Sequence, residues 1–201
     1  MKERLKSLFV RSKETLETKT TTPAFARLAF YLVVALGLLV LPIGLYFNQT
    51  PDRFSAASTE ATLVTQNIRP VVGTRSVATL SRLTASLLDK PGGYLSNDVL
   101  PPSVFMDNVP RWEFGVLVQC RDFARALRNT MSRSQSQSTE DPDLVTAENQ
   151  LYFDSQSWLI PQTESEYRKG IEALDRYLAR LGDDARPDAQ FYARADNLSI
   201  W

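Results

Sequence analysis

Carboxylates are the side chains of this sequence that offer the most obvious chemistry. Two pairs lie in its central part, Glu113 with Asp122 and Asp98 with Asp107. Two facing carboxyl groups suffice for glycoside hydrolysis, one as general acid and the other as base or nucleophile. Of the 23 acidic residues, 20 follow Phe47, so chance pairs are common and this pattern alone does not establish a site.

Other catalytic arrangements are missing from the sequence. It contains no histidine, which excludes Ser-His-Asp and Cys-His nucleophile systems and histidine-ligated zinc. Neither Lys90 nor Lys169 follows a serine by three positions, and Gly92-Gly93 does not continue into a phosphate-binding Gly-Lys-Ser/Thr step. We therefore predict no catalytic residue, no cofactor and no metal site, and we expect that the chain is not an enzyme.

The element that positions everything else is an uncharged run from Leu28 to Phe47. Its 20 residues would extend about 30 Å as a helix, which is the thickness of a bilayer's hydrocarbon core. Tyr31 and Tyr46 suit the two interfaces, and Pro42 predicts a bend near one end. We therefore predict a transmembrane helix over residues 25–47.

The charges that flank this run predict its orientation. Seven basic and three acidic residues precede Leu28, whereas Arg53 is the only basic residue from Asn48 to Glu60. Because the more basic flank stays in the cytoplasm, we expect the N-terminus there and the C-terminus in the periplasm of a bacterial inner membrane. Residues 1–24 then form a basic cytoplasmic arm, either an amphipathic helix on the leaflet or a disordered tail.

A cleaved signal peptide is the alternative interpretation of the apolar run. Ser55-Ala56-Ala57 provides small residues suited to cleavage. The run, however, exceeds the roughly 7–15 apolar residues that are usual in a signal peptide. We therefore favour a retained signal-anchor.

The part that follows Phe47 has the size and composition of one folded domain. It contains about 150 residues, with 16 basic and 20 acidic side chains, so its charge gives no reason to expect nucleic-acid binding. Its single cysteine, Cys120, has no partner for an internal disulfide, and we expect the thiol to be buried.

Apolar periodicity predicts that this domain is mainly α. One helix is expected over Thr74–Leu88, with Val77, Leu80, Leu87 and either Leu83 or Thr84 facing the core. A second is expected from Arg111 to Met131, although the alternation of Trp112, Phe114, Val116 and Val118 also fits a strand. In this helix we expect Trp112 and Phe114 in the core, and Arg111 and Glu113 on the surface.

Capping signals predict the remaining helices. Asp141 or Asp143 caps a helix that carries Leu144, Ala147 and Leu151. Thr163-Glu164-Ser165-Glu166 predicts a capping box for a helix that ends at Gly182, and its apolar face consists of Tyr167, Ile171, Leu174 and either Leu178 or Tyr177. Pro187 predicts one more helix, with Phe191, Ala195 and Leu198 on one face. Because that helix reaches Trp201 without a cap, we expect the natural domain to continue beyond this residue.

These patterns divide the chain into four parts. The arm (1–24) and the transmembrane helix (25–47) are followed by a stalk with a short helix at Ala61–Ile68 (48–73), and then by the helical domain (74–201). Within the domain, loop 91–110 combines turn-forming residues with apolar side chains, which predicts that it packs back onto the helices. We place the candidate interaction surface there: Tyr94, Leu95, Asn97, Asp98, Phe105 and Trp112.

Three separated segments carry a resemblance to a known family. They are Lys90-Pro91-Gly92-Gly93-Tyr94-Leu95-Ser96-Asn97-Asp98, Trp112-Glu113-Phe114-Gly115-Val116-Leu117-Val118-Gln119 and Tyr192-Ala193-Arg194-Ala195-Asp196-Asn197-Leu198. Together they resemble an uncharacterised proteobacterial family of inner-membrane proteins bearing a domain of unknown function. The resemblance covers most of the chain from the apolar run onward. It implies an inner-membrane location but no reaction and no catalytic residues.

These observations favour a single-pass inner-membrane protein whose periplasmic helical domain is a scaffold or adaptor of the cell envelope. The expected partners are the lipid bilayer and a protein of the periplasm or inner membrane, and not nucleic acid. A second copy of the chain is a further candidate, since Gly37 and Gly44 share one face of the apolar helix. The alternative function is a carboxylate-based hydrolase acting on envelope polysaccharide.

Overall fold

The computed structural model describes residues 24–134, 139–185 and 188–194. These residues contain six α-helices and no strand, which confirms the predicted mainly α fold. The helices are α1 (Ala24–Phe47), α2 (Ala56–Thr65), α3 (Thr74–Asp89), α4 (Asn108–Ala126), α5 (Pro142–Leu151) and α6 (Thr163–Leu181). A 3-10 turn spans Ser103–Phe105, and a π-helical turn, Leu127–Met131, continues α4.

Helix α1 contains the predicted apolar run. It is 24 residues long, carries Pro42 inside it, and has no buried residue. Among the described residues it is the one helix long and apolar enough to cross a membrane, a property that suits either an anchor or a signal sequence. The chain divides into two compact units between Pro42 and Ile43, so the last five residues of α1 belong to the larger unit.

The core of the larger unit is built around α6. This helix packs against α5 and α3, and α4 packs against α3 and α5. The predicted apolar face of α6 is confirmed, since Tyr167, Leu174, Tyr177 and Leu178 are all buried. Gly170 permits the close approach of α5, because a Cβ atom there would lie 3.3 Å from Leu151 Cγ.

Helices α3 and α4 follow their predicted periodicity. In α3 the buried residues include Val77, Leu80 and Leu87, and Thr84 rather than Leu83 completes the set. The segment from Arg111 to Met131 is helical throughout, so the strand interpretation of that segment is wrong. Cys120 lies in the core, as predicted, and burial raises the pKa of its thiol to about 11.

Polar side chains fix both ends of α5. Asp141 is its N-cap, with Oδ1 accepting from the Asp143 N–H at 2.9 Å, and Arg180 of α6 binds the same carboxylate at 2.8 Å. At the other end Arg121 donates to the Leu151 carbonyl at 2.7 Å and to the Phe153 carbonyl at 2.8 Å. Asp141 thus satisfies an N–H group of the first turn and Arg121 a carbonyl group of the last turn, the groups that helix ends leave without partners.

The start of α6 differs from its prediction. Gln162 is the N-cap and makes no side-chain capping bond, so Thr163 is the first helical residue and the predicted capping box is not formed. The Thr163 hydroxyl instead donates to the carbonyls of Asp154 and Ser157, at 2.8 and 2.9 Å. Tertiary bonds to the preceding loop therefore replace the local cap.

Two other boundaries differ from those predicted. The short helix α2 begins at Ala56, not Ala61, because Ser55 and Ser58 cap it reciprocally. The helix predicted after Pro187 is wrong for residues 188–194, which are not helical, while Pro187, Ala195 and Leu198 lie outside the described residues. Tertiary bonds hold residues 188–194 instead, since Gln190 O accepts from the Tyr177 hydroxyl and the Tyr192 N–H donates to Met131 O, both at 2.6 Å.

Candidate functional site

The loop that connects α3 to α4 begins at a buried ion pair. Lys90 caps the end of α3, and its Nζ lies 2.7 Å from Oε1 of Glu113, on the second turn of α4. Both side chains are 0% exposed. The Lys90 ammonium also donates to the Gly93 carbonyl, which stabilises the turn at residues 90–93.

The Glu113 carboxylate organises the next residues of the loop. It accepts hydrogen bonds from the N–H groups of Leu95 and Ser96, at 2.9 and 2.8 Å, and from the Ser96 hydroxyl. With Lys90, one carboxylate therefore satisfies four donors, as a buried charge requires. The prediction that Glu113 is a surface charge is wrong.

The burial of Glu113 reverses the expected orientation of this part of α4. Adjacent helical residues differ in direction by about 100°, so burying Glu113 turns its two neighbours away from the core. Trp112 is 39% exposed and Phe114 is 53% exposed, and the prediction that both are core residues is wrong. Arg111 is exposed, as predicted.

The same geometry bears on the proposed catalytic carboxylates. Glu113 and Asp122 are nine residues apart on one helix, which places their side chains about 180° apart around its axis. Glu113 is buried and fully hydrogen bonded, whereas Asp122 is exposed. Asp98 and Asp107 are both exposed, and Asp107 lies 3.3 Å from Arg111 on the next turn. The structure does not bring Glu113 and Asp122 together.

Asn97 joins this loop to a second one, residues 152–162, which connects α5 to α6. Its buried amide nitrogen donates to the Ser157 carbonyl and to the Glu164 carboxylate, both at 2.9 Å. Tyr94, also buried, packs edge-on against Tyr167 of α6 with 5.7 Å between ring centroids. Loop 91–110 thus packs onto the helices.

The six predicted interaction residues separate into two groups. Tyr94, Leu95 and Asn97 are buried and hold the loop in place, so their side chains are not available to a partner. Asp98 is exposed, Phe105 is 79% exposed, and Trp112 is partly exposed beside Phe54 and Leu83. Only this second group offers surface for contact.

Both loops carry exposed apolar side chains, and Val99, Leu100 and Trp158 line one cleft where the loops meet. We call this set the loop surface, and it consists of Val99, Leu100, Val104, Phe105, Trp158, Leu159 and Ile160. Leu100 is 71% exposed and Ile160 is 97% exposed. The sequence analysis missed Trp158, Leu159 and Ile160, although an apolar triplet between polar residues and a proline was the signal that marked them.

The loop surface adjoins the last turn of α1. Ile43 and Phe47 line a cleft together with residues 98–103 and Trp158. A Cβ atom on Gly44 would lie 3.4 Å from Pro102 Cβ, and one on Gly92 would lie 2.7 Å from the Phe47 ring. Gly92 also has φ +85°, so glycine meets both a conformational and a steric requirement at this contact.

Comparison with known proteins agrees with the resemblance seen in the sequence. Residues 19–201 match the family described as "Uncharacterized protein conserved in bacteria (DUF2333)". The chain belongs to this family. No curated protein and no solved structure matches it.

For this family member the described residues give no cluster of three or more His, Cys, Asp or Glu side chains placed to hold a metal ion. Its distinctive features are instead the buried Lys90–Glu113 pair and the loop surface that this pair helps to position. The pair lies in two of the segments that carry the family resemblance, and Val99 to Phe105 follow the first of them.

Proposed function

We propose that this chain is a single-pass protein of the bacterial inner membrane whose helical domain acts in the periplasm as a scaffold or adaptor. The observation that carries the proposal is α1, a helix of 24 residues with no buried residue. It is uncharged from Leu28 to its end. A core helix of a soluble domain would bury one face, and a signal peptide would be shorter.

The orientation rests on the flanking charges. The basic residues before Leu28 outnumber those that directly follow Phe47 by seven to one, counted as far as Glu60. Such a bias retains the basic flank in the cytoplasm and delivers the domain to the periplasm. The domain would have to fold in the periplasm without an internal disulfide, because Cys120 is its single cysteine. Its core of apolar and aromatic side chains provides the packing for this.

A non-enzymatic role is favoured over the hydrolase alternative by the position of Glu113. A general acid or nucleophile must reach its substrate, yet this carboxylate is inaccessible and already accepts from four donors. Trp112 and Phe114 are also exposed on α4, and grouped exposed aromatic side chains are typical of a surface that contacts a partner.

The membrane topology is tested with two reporters fused separately after Trp201, alkaline phosphatase and a green fluorescent protein. We expect phosphatase activity and no fluorescence from the exported fusion. A purified mature chain that begins near Ala57 would refute the retained anchor, and a fluorescent fusion would refute the orientation.

The adaptor role is tested by photo-crosslinking in intact cells. A photoreactive residue replaces Trp112 or Asp98, and an exposed residue of α6, Arg176, serves as the control. We expect a reproducible protein adduct from the first two positions and none from Arg176. Absence of adducts from every position, together with a monomeric particle in detergent, would contradict the role.

A further inference from the structure

We propose that the loop surface lies in the outer interface of the lipid bilayer, at the level of the last turn of α1, so that lipid is its ligand. This inference rests on the proposed anchor, because α1 provides the reference for membrane depth. It adds a second point of membrane contact, made by the two loops of the domain itself.

The depth follows from contacts with the last turn of α1. Phe47 ends the apolar run and therefore marks the outer boundary of the hydrocarbon core. Ile43 and Gly44 lie about 4–6 Å below that boundary at 1.5 Å per residue. Because residues 98–103 line a cleft with Ile43, and Pro102 contacts the position of Gly44, this loop reaches the level of the interface.

The residue types of the loop surface suit that depth. Its members are aromatic or branched aliphatic, and Trp158 is the kind of side chain that concentrates at membrane interfaces. Phe105, Leu159 and Ile160 are each at least 60% exposed in the absence of lipid. In water this exposure is unfavourable, whereas in the acyl boundary the same side chains are solvated by lipid.

The loops contain no positive charge that would bind headgroups electrostatically. Neither residues 91–110 nor residues 152–162 include a lysine or an arginine. Contact with the bilayer should therefore depend on apolar burial alone, and it should be insensitive to salt and to the fraction of anionic lipid.

The loop surface is preformed, because buried polar contacts hold both loops. The Lys90–Glu113 pair fixes the first loop at residues 95 and 96, and Asn97 binds the second loop through Ser157. The exposed side chains are thus presented by a fixed backbone, which lowers the entropic cost of docking on a membrane.

The experiment places a fluorescent label in the full chain, reconstituted in phosphatidylcholine vesicles. Single cysteines are introduced as Phe105→Cys and Leu159→Cys, and each is labelled with an environment-sensitive nitrobenzoxadiazole. The fluorescence of each label is then compared between plain vesicles and vesicles that contain a phosphatidylcholine with a nitroxide near its headgroup. Quenching by the nitroxide reports contact with lipid. The unsubstituted chain is the labelling control, since buried Cys120 should take up no dye.

Val72→Cys is the matched position control. Val72 is 65% exposed and Leu159 is 60% exposed, so both are apolar residues of similar accessibility. Val72 lies near Ile68 and Arg69, which contact Gly182 after the end of α6, whereas Thr163 at the start of α6 binds Ser157 of the second loop. The 19 residues of α6 separate these two ends by about 27 Å.

We expect the nitroxide lipid to quench the labels at 105 and 159 at least about twofold more strongly than the label at 72, as for groups seated in the interface. The difference should persist in high salt and in vesicles with added phosphatidylglycerol. Equal quenching at all three positions, or quenching at none, would overturn the proposal. A blue-shifted label without lipid quenching would indicate protein contact instead and would also overturn it.

Flotation of the same samples separates this proposal from the anchor. A chain that fails to float with the vesicles would refute the anchor and the lipid contact together. A chain that floats, yet shows labels at 105 and 159 no more quenched than the label at 72, would refute the lipid contact alone.

Discussion

Breaking the Lys90–Glu113 pair should be among the most destabilising single changes in this domain. In Glu113→Gln the ammonium of Lys90 stays buried, at 0% exposure, but loses the negative charge that it pairs with. The Gly93 carbonyl is the one other acceptor described for it. The new amide group also has only one oxygen to accept from the backbone N–H groups of Leu95 and Ser96, because its NH2 group is a donor. Breaking a buried pair in this way costs about 3–5 kcal/mol.

The expected readout is a shift in melting temperature. For a domain of this size, 1 kcal/mol corresponds to about 2–4 °C, so Glu113→Gln should lower the midpoint by about 6–20 °C. The assay is a thermal melt of the full chain in detergent, followed by tryptophan fluorescence. Lys90→Met should cost less, since Glu113 retains three donors from Leu95 and Ser96.

An exposed pair of the same length provides the control. Lys169 Nζ lies 2.7 Å from Glu166 Oε1, the distance also found between Lys90 and Glu113, but the Lys169 side chain is 57% exposed. Lys169→Met should therefore cost no more than about 1 kcal/mol. A Glu113→Gln midpoint within about 2 °C of the parent, less than 1 kcal/mol by the same conversion, would refute the argument. So would a larger loss for Lys90→Met.

Three further predictions concern single positions. Thr163→Val should destabilise the domain by about 1–3 kcal/mol in the same melt, because the Asp154 carbonyl loses the hydroxyl donor described for it, whereas Thr163→Ser should retain most of the stability. Gly73→Ala should destabilise the domain more than Gly93→Ala, and in Gly73→Ala the hydrogen exchange of residues 188–194 should be faster. Both glycines have positive φ, but a Cβ atom at 73 would clash with the Phe191 ring while one at 93 would meet nothing closer than 3.7 Å. Cys120 should not react with Ellman's reagent at pH 8 until the protein is unfolded. Burial raises its pKa from 9.0 to about 11, so the stability that the neutral thiol contributes should be complete below pH 9 and lost as the pH rises to about 11.

The helices were predictable because their signals are local. Apolar residues at helical spacing identified α3, α4, α5 and α6, and the Asp141 N-cap was among the two candidates that the sequence offered. Such features depend on neighbours within one or two turns, which the sequence states directly.

The errors fall where distant residues decide the outcome. Thr163 looked like an N-cap, but the carbonyls of Asp154 and Ser157 compete for its hydroxyl. The segment after Asp188 looked helical, yet the Tyr177 hydroxyl and the Met131 carbonyl bind its backbone in a non-helical path. In both cases tertiary hydrogen bonds outweigh a weak local preference.

Glu113 combines these lessons with the question of function. Its partner, Lys90, lies on the preceding helix, so nothing in the local pattern of α4 reveals that a charge is buried there. Satisfying that charge turns Trp112 and Phe114 outward and ties down residues 95 and 96, after which the chain exposes Leu100 and Phe105. A carboxylate that appeared suited to catalysis therefore has a structural role, which is to hold the loop between α3 and α4 in place. The loop that it holds exposes apolar side chains. Such exposure departs from the usual burial of apolar residues and is expected where a protein contacts a partner or a membrane.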